Sequence, residues 1–129
     1  MIEYTVKVDY IGTRRWSLNG KLHREDGPAV EYASGDKFWY LDGKKHREDG
    51  PAIEGTDGTK HWYINGELHR EDGPAIEYAD GDKSWYLNDV KYTEEEYYSK
   101  LNPAKELTMK ELVKELGYNV KIVEGQQND

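Results

Sequence analysis

A chain of 129 residues carrying a net charge of -8 fits one domain with a modest core, and it disfavours general nucleic-acid binding by phosphate neutralisation. The absence of cysteine excludes disulfides, thiolate metal sites and thiol nucleophiles. Charged residues make up 34%, yet eleven Tyr and four Trp supply burial that a disordered chain lacks.

The opening stretch "MIEYTVKVDY" alternates Ile2, Tyr4, Val6, Val8 and Tyr10 with polar neighbours, which predicts a first strand within residues 1–11. It has neither the basic region nor the apolar run of a signal peptide, and no segment approaches a membrane span. The expected compartment is the cytoplasm, with no membrane contact.

A fixed period follows. Trp16, Trp39, Trp62 and Trp85 are spaced by 23, and His23, His46 and His69 keep the same step within three copies of "HREDGPA". So short a period means stacked supersecondary units. In each unit an aromatic run meets Asn19-Gly20, Asp42-Gly43 or Asn65-Gly66, dipeptides suited to a two-residue type I′ hairpin turn. That turn sets Leu41 opposite Lys44, Tyr40 opposite Lys45, Trp39 opposite His46 and Phe38 opposite Arg47. The Asp-Gly-Pro-Ala segment predicts a bend in the second strand, and the glycines of "EYASGDK", "EGTDGTK" and "EYADGDK" predict the next turn. Alternation together with the bend places Trp39, Leu41 and Ile53 on an inner face, with Trp16, Leu18, Val30 and Trp62, Ile64, Ile76 equivalent, followed by Trp85 and Leu87. Arg15, Phe38, His61 and Ser84 then read as exposed.

The fourth unit departs from the pattern after Trp85: Asn88-Asp89 replaces Asn-Gly and Tyr92 replaces the histidine. Thr93 with Glu96 and Thr108 with Glu111 are capping boxes, so two helices are expected, separated by Asn102-Pro103. Met109, Leu112, Val113 and Leu116 share one helical face, with Gly117 as a C-cap, and "YNVKIV" is a candidate last strand. The fold class is mainly β: a single-layer antiparallel meander of hairpin repeats. It spans 1–92, with repeats starting near 12, 35, 58 and 81, and a helical cap over 93–129 covers the sheet edge.

The unit "WYINGELHREDGPAIEYADGDK" resembles the MORN repeat, and more specifically its "WYLNGKLHREDGPA" variant common in proteins of tailed phages and giant viruses. The likeness covers about residues 12–92, and "LTMKELVKELGYNVKIV" looks like a tail module ending several such phage proteins. The resemblance implies an elongated β-meander serving as an interaction or scaffolding surface, and it implies no catalytic residues.

The repeated histidines and acids invite a metal or catalytic reading. Equivalent residues of successive units lie two strands apart, roughly 9–10 Å, too far for one ion to bridge. No Ser or Cys recurs beside the histidine as a nucleophile, and a flat ladder lacks a water-excluding pocket. The motif therefore reads as a structural stitch of Trp16, Trp39, Trp62 and Trp85 with His23, His46 and His69, without catalytic residue, metal or cofactor. His46 is expected to stack on Trp39, with its ring nitrogens bonded to an acid or carbonyl near the bend. Arg47 is expected to lie against tyrosine on the outer face. The candidate protein-binding surface is accordingly the row Tyr40, Tyr63 and Tyr86 beside Arg24, Arg47 and Arg70.

The function expected is binding of a protein partner, in a phage or bacterial cytoplasm, with inhibition or sequestration of a host protein such as a defence factor. The open sheet also permits a homodimer. The competing readings are a small-ligand or metal-binding protein, an acidic nucleic-acid mimic in a basic cleft, and, third, an enzyme. Residues 93–129 hold eight acids against five lysines, a mixed surface that argues against mimicry.

Overall fold

The computed structural model describes residues 2–103 and 108–117. Strand β1 (Thr5–Val8) pairs antiparallel with β2 (Arg14–Leu18), Val6 opposite Trp16. The first unit continues through β3 (Lys21–Leu22) and β4 (Val30–Glu31). The second unit comprises β5 (Lys37–Phe38), β6 (Tyr40–Leu41), β7 (Lys44–Lys45) and β8 (Ile53–Glu54). The third repeats this as β9 (Lys60–His61), β10 (Tyr63–Ile64), β11 (Glu67–Leu68) and β12 (Ile76–Glu77). The fourth closes the sheet with β13 (Lys83–Leu87) and β14 (Val90–Tyr92). The main ladder runs β1-β2-β4-β5-β8-β9-β12-β13-β14, all antiparallel, so the chain is a β-meander.

The hairpins have the expected register next to the turn, Tyr40 opposite Lys45 and Leu41 opposite Lys44, but Phe38 pairs with Val30 and Ile53 and not with Arg47. Their turns carry positive φ twice, at Asp42 (49°) and Gly43 (77°), as type I′ requires. Asn88 and Asp89 keep that geometry at 49° and 67° although glycine is missing, so the fourth hairpin forms as well. The strands are joined by tight turns in which the Gly35 amide bonds the Tyr32 carbonyl at 2.8 Å.

The bend in the second strand is an excursion pinched off at one residue. The Trp39 amide donates to the Ala52 carbonyl at 2.7 Å, and the Trp39 carbonyl accepts the His46 amide at 3.1 Å. Both ladder groups of Trp39 are used on residues six apart, so residues 47–51 loop out of the pairing with the Trp39 strand. Trp16 and Trp62 close the same neck on Ala29 and His23, and on Ala75 and His69. Ala29, Ala52 and Ala75 at these necks are fully buried.

The ladder register beyond the excursion corrects the expected faces. Ile53 pairs with Phe38 and His61, and Val30 pairs with Phe38 and Arg15. Cross-strand partners share a face, so Val30, Ile53 and Ile76 lie with the Phe38 position and not with Trp39. Accordingly Phe38 and His61 are half-buried and Ser84 is buried, where exposure was expected; only Arg15 is exposed.

Helix α1 (Glu94–Leu101) starts on a Thr93–Glu96 capping box and packs against β13 and β14. Helix α2 (Met109–Leu116) starts on a Thr108–Glu111 box and ends on Gly117 in the left-handed conformation (φ 69°). The apolar stripe expected on α2 is half-buried at Leu112 and Val113 and exposed at Met109 and Leu116. The candidate last strand "YNVKIV" lies outside the described residues.

Candidate functional site

Each looped-out segment is filled by its own arginine. The Arg47 guanidinium lies 3.9 Å from the Trp39 ring centre, donates through Nε to Asp49 at 3.0 Å, and donates through Nη1 to the Pro51 carbonyl at 3.0 Å and to Glu54 at 2.9 Å. Arg24 and Arg70 repeat these contacts over Trp16 at 4.1 Å and Trp62 at 3.8 Å. One planar cation thus satisfies two carboxylates and a carbonyl while covering an indole, a combination only arginine supplies. Gly50 belongs to the same device: a Cβ there would stand 2.9 Å from the Arg47 guanidinium carbon.

The histidines join unit to unit. His23 Nδ1 accepts the Asp42 amide at 2.9 Å, His46 Nδ1 the Asn65 amide at 2.9 Å, and His69 Nδ1 the Asn88 amide at 3.0 Å. An accepting Nδ1 places the proton on Nε2. That atom faces Glu25 at 3.6 Å, and Glu48 and Glu71 at 3.9 Å in the other two units, beyond hydrogen-bond length. Backbone bonds reinforce the join: Arg47 donates to the Tyr63 carbonyl at 3.1 Å and Gly66 to the Lys45 carbonyl at 2.8 Å.

Two expectations change here. No ring stacking joins His46 to Trp39 among the described residues; the histidine instead bonds the turn of the following unit. The arginines stack on tryptophan, not tyrosine. Trp39 and Tyr40 are neighbours on one strand and point to opposite faces, so Arg24, Arg47 and Arg70 are separated from Tyr40, Tyr63 and Tyr86 and the row expected as one patch is divided. The tyrosines remain in line. Lys45 lies 5.0 Å from the Tyr63 ring centre, and burial first, then nearby Tyr32 and Tyr63, push the Tyr40 phenol above its ordinary value. For Tyr63 the causes are burial, then Asp89 and Tyr86.

His61, which read as exposed, is a half-buried member of this second face, stacked 6.4 Å from Tyr63. Burial, then the Lys45 charge, lowers its pKa, and its Nδ1 is buried without a hydrogen-bond partner.

The looped-out segments stack at the repeat period and leave slots between them. The first slot, of about 600 Å³, lies between the loops of Arg24 and Arg47, with Trp39 and Leu41 as its floor. The second, of about 690 Å³, lies between the loops of Arg47 and Arg70 over Trp62 and Ile64. Both volumes fall within the range of small-ligand pockets. The fourth unit has no such loop, and α1 stands in its place. Tyr97 of α1 is fully buried; its hydroxyl donates to the Arg70 carbonyl and accepts the Gly73 amide at 3.3 Å. Sequence reasoning missed Tyr97, since nothing local distinguishes it from Tyr98, which is exposed.

Among the described residues no three His, Asp or Glu side chains converge as a metal site, and no helix is long and apolar enough to cross a membrane. Comparison with protein-family profiles, with curated proteins and with solved structures gives no match to this chain.

Proposed function

We propose that this chain is a non-enzymatic, MORN-like repeat module that acts by binding another protein. One observation carries the reading: in all three copies of "HREDGPA" the arginine and the histidine Nδ1 are engaged inside the chain. Those groups hold the shape of the stack and are not poised to react with a substrate. What the array offers outward is a periodic surface, with Tyr40, Tyr63 and Tyr86 on one face and acidic loop rims on the other. The likeness of the repeat to phage proteins supports a phage or bacterial cytoplasm as its setting. A host protein such as a defence factor, inhibited or sequestered, is the partner that setting suggests.

The test is capture of partners by the tagged protein from bacterial lysate, beside a Tyr40→Ser, Tyr63→Ser variant. Serine is compatible with this fold there, because Ser17 holds the equivalent place in the first unit. A partner kept by the native chain and lost by the folded variant supports binding through the tyrosine row. A partner kept by both places binding on the loops or the helical end. Failure to capture any partner, with turnover of an added metabolite, overturns the reading.

A further inference from the structure

A tyrosine hydroxyl closes the stack of loops at each end. At the first loop Tyr4, just before β1, accepts the Glu25 amide at 3.1 Å, its ring stacked 6.3 Å from His23. At the third loop Tyr97 bonds the Arg70 carbonyl and the Gly73 amide. The two slots between these ends are lined by the repeat equivalents of both sets of groups. Gly27 with Arg24, and Gly50 with Arg47, take the place of Gly73 with Arg70; Glu48 and Glu71 take the place of Glu25. Among the described residues nothing in the chain accepts from the Gly27 or Gly50 amide or donates to the Arg24 or Arg47 carbonyl. The floors match too: Trp39 with Leu41 and Trp62 with Ile64 correspond to Trp85 with Leu87 on β13, against which α1 packs.

We infer that the two inner slots bind tyrosine side chains of a partner polypeptide, as the third loop binds Tyr97. The phenol donates to the Arg24 or Arg47 carbonyl and accepts the Gly27 or Gly50 amide, while its ring covers the apolar floor. A buried phenol needs both an apolar wall and a polar partner at its tip, and each slot offers them in that order. The rims select the neighbours of that tyrosine. The first slot carries Glu25, Asp26, Glu48 and Asp49 against Arg24 and Arg47, so basic residues flanking the tyrosine are favoured. This inference rests on the reading of the chain as a protein-binding module, and it names the side chain bound and the place.

The experiment is a titration of the full, isotope-labelled chain with capped Lys-Tyr-Lys, with Lys-Phe-Lys and p-cresol as separate arms, followed by amide NMR. The expected result is saturable shifts at Gly27 and Gly50 but not at Gly73. The tyrosine peptide binds about tenfold more tightly than its phenylalanine analogue, the effect of one to two neutral hydrogen bonds. Glu48 lines both slots and its side chain is 83% exposed, so Glu48→Lys loosens the peptide several-fold without moving the rest of the spectrum. Absent shifts at both glycines, or equal affinity for the phenylalanine peptide, overturns the inference. Affinity for p-cresol equal to that for the peptide overturns the assignment to a polypeptide. A lysate partner still captured by Glu48→Lys, with no peptide shifts, defeats the slots and leaves the binding module standing.

Discussion

His46 accepts the backbone amide of Asn65 through Nδ1 at 2.9 Å, a bond between positions nineteen apart that ties one hairpin turn to the unit before it. His23 with Asp42 and His69 with Asn88 make the same bond. A type I′ turn leaves an amide pointing out of its own hairpin, and an imidazole from the preceding unit satisfies it. The array is thus held by nearest-neighbour bonds, as expected of a repeat protein whose units do not fold alone.

Replacing these histidines by phenylalanine keeps a ring but removes the acceptor. The cost is about 1–2 kcal/mol, set by whether water reaches the orphaned amide. Side-chain exposure rises from 8% at His23 through 10% at His46 to 18% at His69, so destabilisation is expected to fall in that order. Urea midpoints of the three single variants measure it. A largest loss at His69 would refute the explanation.

The arginine clamp gives a second expectation. Arg47→Lys keeps the charge but loses the planar fork over Trp39 and the bond to either Asp49 or the Pro51 carbonyl. A loss of about 1–2 kcal/mol is expected. Gly50→Ala acts through the same side chain, since the new Cβ displaces the guanidinium. The two changes are therefore non-additive, with Gly50→Ala costing much less in the lysine background. A double-mutant cycle read by chemical denaturation would reveal additivity, and additivity would mean that the glycine serves the backbone instead.

Tyr97 anchors α1 to the third loop. Tyr97→Phe removes only the hydroxyl, costing about 1–2 kcal/mol, whereas Tyr97→Ala also empties a fully buried site and costs about 3–5 kcal/mol. The alanine variant is further expected to lose helical circular dichroism before the sheet melts, because α1 has little other apolar anchorage: Tyr98 on the same helix is exposed. A single transition of unchanged midpoint would show that α1 is held by something other than this tyrosine.

These relationships explain what the sequence revealed and what it concealed. The hairpin register and both capping boxes were legible because they depend on residues close together in the chain: Asp42-Gly43 alone fixes Tyr40 against Lys45. The period of 23 located the units because it is a one-dimensional signal, read without knowing any contact. Faces were lost at the pinched neck. Trp39 bonds both His46 and Ala52, six residues apart, so alternation stays in phase through residues 47–51, and it was the face change expected at the bend that returned the wrong side for Ile53. The arginine then falls on tryptophan instead of tyrosine, and the candidate row divides. The histidine bonds and the Tyr97 anchor are contacts between units, and a repeat seen one unit at a time does not display them.

His61 supplies the pH dependence. It stands opposite Ile53 and Ile76 in the ladder, with Lys45 nearby, and both burial and that charge disfavour the imidazolium. Its folded pKa is therefore depressed below the ordinary 6.5. Well above pH 6.5 the ring is neutral in folded and unfolded chains alike, and it imposes no pH dependence. As pH falls below that value the unfolded chain binds a proton that the folded chain refuses, so stability declines and levels off only once pH passes the folded pKa. Phe38 occupies the equivalent position in the preceding unit, so His61→Phe preserves the packing and removes the titration. The variant is expected to lose less stability on acidification from about pH 7.5 to about pH 5.5 than the parent, with carboxylate effects common to both. Urea unfolding at a series of pH values gives the difference directly. Parallel curves for parent and variant would mean that His61 is protonated as readily in the folded chain as in the unfolded one.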